Sequence, residues 1–136
     1  MNLNAVNQVA IAGAQDVLWN NAPVDLLNEC VVAGAQRYFS PIRAGYYALD
    51  ARVRFGPTPL NALVTLYLQD AVPSWYAGIS YTNGVNNSTP SLHVFDVRYL
   101  VPGNRILTTI NFSAIGGGTV IEGSVSMSKF IAYRIR

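Results

Sequence analysis

Apolar and polar positions alternate through most of the chain. In YYALDARVRF (46–55), Tyr47, Leu49, Ala51, Val53 and Phe55 fall on one side, while Ala48, Asp50, Arg52 and Arg54 fall on the other. A two-residue repeat of this kind marks a strand with one buried face. LNALVTLYLQ (60–69) groups Ala62, Val64, Leu66 and Leu68, but its other face, Leu63, Thr65, Tyr67 and Gln69, is also rather apolar. SLHVFDVRYLV (91–101) sets His93, Phe95, Val97 and Tyr99 against Leu92, Val94, Asp96, Arg98 and Leu100. RILTTINFSA (105–114) places Ile106, Thr108, Ile110 and Phe112 together. SMSKFIAYRIR (126–136) places Lys129, Ile131, Tyr133 and Ile135 opposite Phe130, Ala132 and Arg134. Strands that are apolar on both faces need two covers. One is the partner sheet of a sandwich, and the second is most simply another subunit.

Turn residues punctuate the chain at 20–23, 41–45, 56–59, 73, 83–90, 102–104 and 116–118. Strands of 6 to 11 residues between such clusters predict an all-β sandwich or barrel. With 136 residues and no break in composition, the chain reads as one domain with one core, 1–136. The first 35 residues are less decided. AVNQVAIAGAQDVLW has a helix-compatible composition, but Val6, Val9 and Ile11 hold no helical stripe and Gly13 interrupts it. A strand over 5–12 is expected instead, then an irregular stretch through Trp19. Further strands are expected at 26–32 and 36–39. Residues 1–25 are also read as an N-terminal arm, with Met1 to Val9 or the loops at one end of the sandwich as the docking surface.

Composition sharpens the case for a covered surface. The chain is 51% hydrophobic and only 12% charged, half the usual charged share of a soluble domain. Eight tyrosines and a single lysine among nine basic residues match the bias of subunit interfaces, where Arg and Tyr are retained and Lys is depleted. The interface residues expected on this ground are Tyr67, Phe95, Tyr99, Tyr133, Arg52 and Arg54. A plain Asn- and Thr-rich surface is the alternative. The net charge of +2 is spread along the chain, without the dense basic stripe of a nucleic-acid groove. No run approaches the 18 to 20 apolar residues of a membrane helix, and the N-terminus lacks the basic region of a signal peptide.

Candidate chemistry is thin. Cys30 and His93 are each the sole residue of their kind, so no intrachain disulfide and no common protein-only zinc site is expected. Asp50 and Asp96 flank Arg52 and Arg98 on shared strand faces, which reads as ion pairing and not as a glycosidase acid–base pair. No nucleophile elbow accompanies the histidine, and the Gly116–Gly117–Gly118 triple lacks the spacing of a nucleotide-binding loop. A cupin-like enzyme needs several histidines. No catalytic residue, cofactor or resident metal is therefore expected. Trp75, Tyr76 and Tyr81 follow Pro73 in QDAVPSWYAGISY. They are expected either as an exposed loop that stacks on sugars or holds a protein, or as a satellite core beneath that loop.

The stretch FSPIRAGYYALDARVRF (39–55) resembles the C1q/TNF-like jelly-roll superfamily, in which a phrase with Phe, Pro, Gly and Tyr opens a long central strand. The matching residues are Phe39, Pro41, Gly45 and the pair Tyr46–Tyr47. VPGNRILTTINFSA, the Gly triple and GSVSMSKFIAYRI resemble the family's closing strands, and the likeness covers roughly 26–135. The opening phrase is tighter than usual, with Ser40 and Pro41 directly after Phe39, and no collagen-like or coiled-coil stalk precedes it. The resemblance implies a jelly-roll sandwich that packs as a homotrimer without enzymatic activity. Stalkless relatives occur among phage virion proteins. The expected role is thus a structural virion protein, a capsid decoration or cement protein that binds the major capsid protein. The alternative is a receptor- or carbohydrate-binding tip of a phage tail or fibre, holding a cell-surface glycan at Trp75 to Tyr81.

Overall fold

The structure, a computed structural model, describes residues 1, 7–23, 25, 27–70, 74–82, 84, 89–123 and 128–135, with the backbone alone for 74–76. Among the described residues there are eleven strands and no helix. In chain order they are β1 (Gln8–Val9), β2 (Gly13–Asp16), β3 (Cys30–Val31), β4 (Tyr38–Phe39), β5 (Gly45–Gly56), β6 (Leu63–Asp70), β7 (Ser74–Thr82), β8 (Ser91–Leu100), β9 (Ile106–Phe112), β10 (Val120–Ile121) and β11 (Lys129–Arg134). They form two antiparallel sheets packed as a β-sandwich.

Each sheet is organised around one long strand. In the first, β5 pairs with β8 along one side, and β11 and β10 lie end to end along the other, with β1 outside β10. In the second, β9 pairs with β6 along one side, and β2 and β4 share the other, with β7 outside β6 and β3 outside β4. The alternation legible in the sequence decides which side chains meet between the sheets. Leu49, Ala51, Val53 and Phe55 of β5 and Leu92 and Val94 of β8 face Val64, Leu66 and Leu68 of β6 and Ile106, Ile110 and Phe112 of β9, all at most 5% exposed. Phe55 and Phe112 meet edge to face across the gap, with ring centroids 5.5 Å apart, a favourable geometry for two aromatic quadrupoles.

The N-terminal part departs from the sequence expectation. The expected strand over 5–12 is shorter, at Gln8–Val9, and residues 2–6 lie outside the described set. The stretch expected to be irregular holds β2, which pairs with β9 from Gly13↔Phe112 to Asp16↔Thr109. Apolar alternation was absent there because β2 is held by backbone pairing and by polar side chains. Gln8 Nε2 donates to the Asp16 carbonyl at 2.7 Å, and Thr109 Oγ1 donates to Asp16 Oδ1 at 2.9 Å. Nor is the described part a free arm. Met1 exchanges two backbone hydrogen bonds with Phe130, and Asn7 Oδ1 accepts the Gly123 N–H. The strand expected at 26–32 shrinks to Cys30–Val31. Asn28 takes a left-handed φ of 55° ahead of it, and Asp25 accepts hydrogen bonds from the Glu29 and Cys30 N–H groups. The strand expected at 36–39 is Tyr38–Phe39.

Trp19, on the irregular stretch after β2, is fully buried and belongs to the main core. Its indole N–H donates to Thr108 Oγ1 at 3.3 Å. Thr108→Val keeps the shape and removes that acceptor, so a buried donor is left without its partner. A loss of about 1–3 kcal/mol is expected, measurable as a lower urea midpoint with an unchanged slope.

Candidate interaction surface

The two sheets differ on their outward faces. On the second sheet that face is mainly polar and internally bonded, with Leu63 exposed at one end. Gln69 Nε2 donates to Thr109 Oγ1 at 2.8 Å, which in turn donates to Asp16, and Thr65 and Ser80 share a hydroxyl–hydroxyl bond at 3.0 Å. Hydroxyls and amides satisfied in this way need no partner chain. Tyr67 stands on this side as well, and only 8% of it is exposed. It is therefore separated from the other tyrosines expected at an interface, and its ring is covered by its own chain.

The outward face of the first sheet is apolar and open. The registers of β11, β5 and β8 stack its side chains in rows across three strands. One row is Ile131–Asp50–Phe95, and the next is Tyr133–Ala48–Val97. Beyond them Tyr46 stands opposite Tyr99, beside Ile135, whose N–H donates to the Tyr46 carbonyl. Tyr46, Phe95, Val97, Tyr99, Ile131, Tyr133 and Ile135 are between 42% and 59% exposed. Tyr46 and Tyr99 form an edge-to-face pair with centroids 5.3 Å apart. Ala48, in the middle, is covered by its neighbours and is 1% exposed. A small central residue ringed by large ones gives the face relief, which suits close packing against a second surface. Contiguous exposed apolar patches of this kind mark interaction sites.

The opposite end of the face is charged, with Lys129, Arg52 and His93 side by side across the same three strands. Asp50 was expected to pair with Arg52. It pairs instead with His93, whose Nε2 lies 3.0 Å from Asp50 Oδ1. His93 stands opposite Arg52 and is the diagonal neighbour of Asp50 on the next strand, within reach of its carboxylate. Asp96 and Arg98 do form the expected ion pair, between their Oδ2 and Nε atoms. Arg54 lies one step further along β5 and is bound to Glu122 at 2.9 Å.

Of the interface residues expected from the sequence, the structure brings Phe95, Tyr99 and Tyr133 together on one face and puts Arg52 at its charged end. Arg54 lies beside it and Tyr67 on the opposite sheet. Tyr46, Val97, Ile131 and Ile135 complete the face and were not singled out. Their signal was present in the alternation of each strand. What was missing was the knowledge that β5, β8 and β11, distant in sequence, are neighbours.

The aromatic segment from Trp75 to Tyr81 is not a loop. It is β7, paired with β6 from Leu63↔Thr82 to Asp70↔Ser74 with a bulge at Leu68/Gln69. Aromatic and β-branched residues favour a pleated, half-covered surface, which explains why this segment became a strand. Tyr81 packs inward against the core. The side chains of Trp75 and Tyr76 lie outside the described residues. Among the described residues, no group of three or more His, Cys, Asp or Glu is placed to hold a metal ion.

No protein-family model matches this chain, and no curated protein matches it.

Proposed function

We propose that the protein is a non-enzymatic structural component of a phage virion, a homotrimeric capsid decoration protein that binds and stabilises the assembled head. The observation that carries the reading is the open apolar face of β11, β5 and β8, set against the self-satisfied polar face of the other sheet. One side of the sandwich is built to be covered and the other is built to face water. Obligate subunit interfaces have this apolar, tyrosine-rich character. The self-association surface is thus assigned to Tyr46, Phe95, Val97, Tyr99, Ile131, Tyr133 and Ile135.

The jelly-roll part of the reading is supported by the way the chain alternates between sheets. From β7 onward it passes from the second sheet to β8 in the first, back to β9, and again to β10 and β11. Long crossings of this kind are those of Greek-key and jelly-roll sandwiches. The homotrimer and the virion location rest on the resemblance of residues 39–55 and of the closing strands to that superfamily.

A threefold particle matches a threefold or quasi-threefold site on an icosahedral shell, and three linked copies strengthen weak individual contacts. Binding the assembled shell and not its free subunits stabilises the shell by mass action. The test is co-sedimentation with purified, expanded heads of the phage that encodes the chain, with head rupture followed on heating. The expected result is stoichiometric association and a higher rupture temperature. Protein that stays in the supernatant, or that is found on tails and binds a glycan array, would overturn the decoration role.

A further inference from the structure

A second feature lies at the end of the sandwich where β3, β4, the start of β5 and the end of β11 converge. There a cleft of about 410 Å³ opens beside Tyr133. That is within the roughly 300–1,000 Å³ of small-molecule sites. Its inner wall is apolar, formed by Phe39, Cys30 and Ala132. Burial pushes the Cys30 thiol up to about 11, so it stays neutral near pH 7 and behaves as part of that wall. Burial likewise raises the Tyr47 phenol, which donates to the Arg43 carbonyl at 2.8 Å.

The charged groups around the cleft are unequally committed. Both oxygens of Asp25 accept backbone N–H groups, from Glu29 at 2.8 Å and Cys30 at 2.9 Å. Glu29 Oε1 accepts the Ile42 N–H at 2.9 Å. Each acid is thereby tied to the backbone it braces, although both also line the cleft, where their charge adds to burial in keeping the Cys30 thiol and the Tyr47 phenol neutral. The guanidinium groups, with five donors each, are less fully used. Arg134 gives one donor, Nη2, to the Ala44 carbonyl at 2.8 Å and is laid across Gly45, where any Cβ would meet its Nε at 2.5 Å. Among the described residues, the Arg43 guanidinium makes no hydrogen bond or ion pair. An apolar wall with one guanidinium that has no partner among the described residues, and a second that uses a single donor, fits an apolar body that ends in an anion, because guanidinium donors match the two oxygens of a carboxylate.

We propose that this cleft binds a small amphiphilic carboxylate, with its tail on Phe39, Cys30 and Ala132 and its head on Arg43 and Arg134. The proposal does not rest on the assembly reading, although Tyr133 borders both the cleft and the open face. Decanoate serves as the probe, titrated by calorimetry into the whole protein beside decanol and decylamine. Saturable binding of one decanoate per chain is expected, about tenfold or more tighter than decanol, the share a charge-assisted hydrogen bond contributes. Arg43→Glu changes an exposed residue and should abolish that preference. Leu27→Trp, at a rim residue 48% exposed, should weaken both ligands by narrowing the mouth, with an unchanged circular dichroism spectrum in each variant. Phe95→Asp, on the open sheet face, should leave binding intact. Non-saturable uptake, equal affinity for decanol, preference for decylamine, indifference to Arg43→Glu or loss of binding in Phe95→Asp would each overturn the proposal.

Discussion

Phe95→Asp is expected to leave the sandwich folded and to dissociate the protein into single chains. Phe95 is 54% exposed and stands in the middle of the open face, directly opposite Asp50 on β5. In an isolated chain the new carboxylate points into water and disturbs no core contact. In an assembled particle it is driven into an apolar contact beside a second carboxylate, with Arg52 on the diagonal as its nearest cation. Removal of the aromatic anchor and introduction of a like-charge pair act in the same direction. A central aromatic in an interface typically accounts for about 2 kcal/mol or more, and burial of an unpaired charge adds to that. Association at micromolar concentration should fall by a hundredfold or more, seen as a shift to one chain mass on size exclusion with light scattering. Thr65→Asp, on the polar face of the other sheet, is the control and should leave the assembly unchanged.

Phe112→Ala is expected to produce the largest loss of fold stability among single core truncations. Phe112 is 1% exposed, pairs in register with Val64 and Gly13, and sits edge-on to Phe55 from the facing sheet. Its removal deletes apolar contact on both sides of the gap and leaves a cavity that two hydrogen-bonded sheets cannot collapse to fill. Substitutions of this type cost about 3–5 kcal/mol, a large part of the 5–15 kcal/mol that separates folded from unfolded domains. The measurement belongs in the Phe95→Asp background, because stability coupled to assembly depends on protein concentration. A urea midpoint unchanged by Phe112→Ala would show that the two sheets are not held together at this contact.

The long strands were legible because each carries its own signal. The buried set of β5 alternates from Tyr47 to Phe55 apart from Ala48, which its outward neighbours cover, and a two-residue period with one apolar side admits few other structures. The short strands were not legible for the opposite reason. β2 reads Gly-Ala-Gln-Asp, with no apolar face, and exists because β9 offers it a ladder and Asp16 finds Gln8 and Thr109. Trp75 to Tyr81 was misplaced because aromatic residues after a proline resemble a loop as well as a strand, and pairing with β6 decides between them.

The open face was half legible. Alternation showed that the outward residues of β8 and β11 are apolar, but it said the same of β6, where Tyr67 proved to be covered within the chain. Nothing in one strand tells whether its second greasy side is buried by its own sheet or left open. That depends on which strands are adjacent, and adjacency is a long-range property. The cleft was not legible at all, since it joins Cys30, Phe39, Arg43 and Ala132 from four separate strands and turns, and only the bonding of Asp25 and Glu29 reveals which charges remain uncommitted.

Sedimentation velocity of the unmodified chain across a range of micromolar concentrations tests the central claim most directly, since the face formed by β11, β5 and β8 is assigned to contacts between copies. The expected result is a single boundary at three chain masses that persists on dilution. A boundary at one chain mass throughout, with Phe95 and Tyr133 still open to solvent, would contradict it.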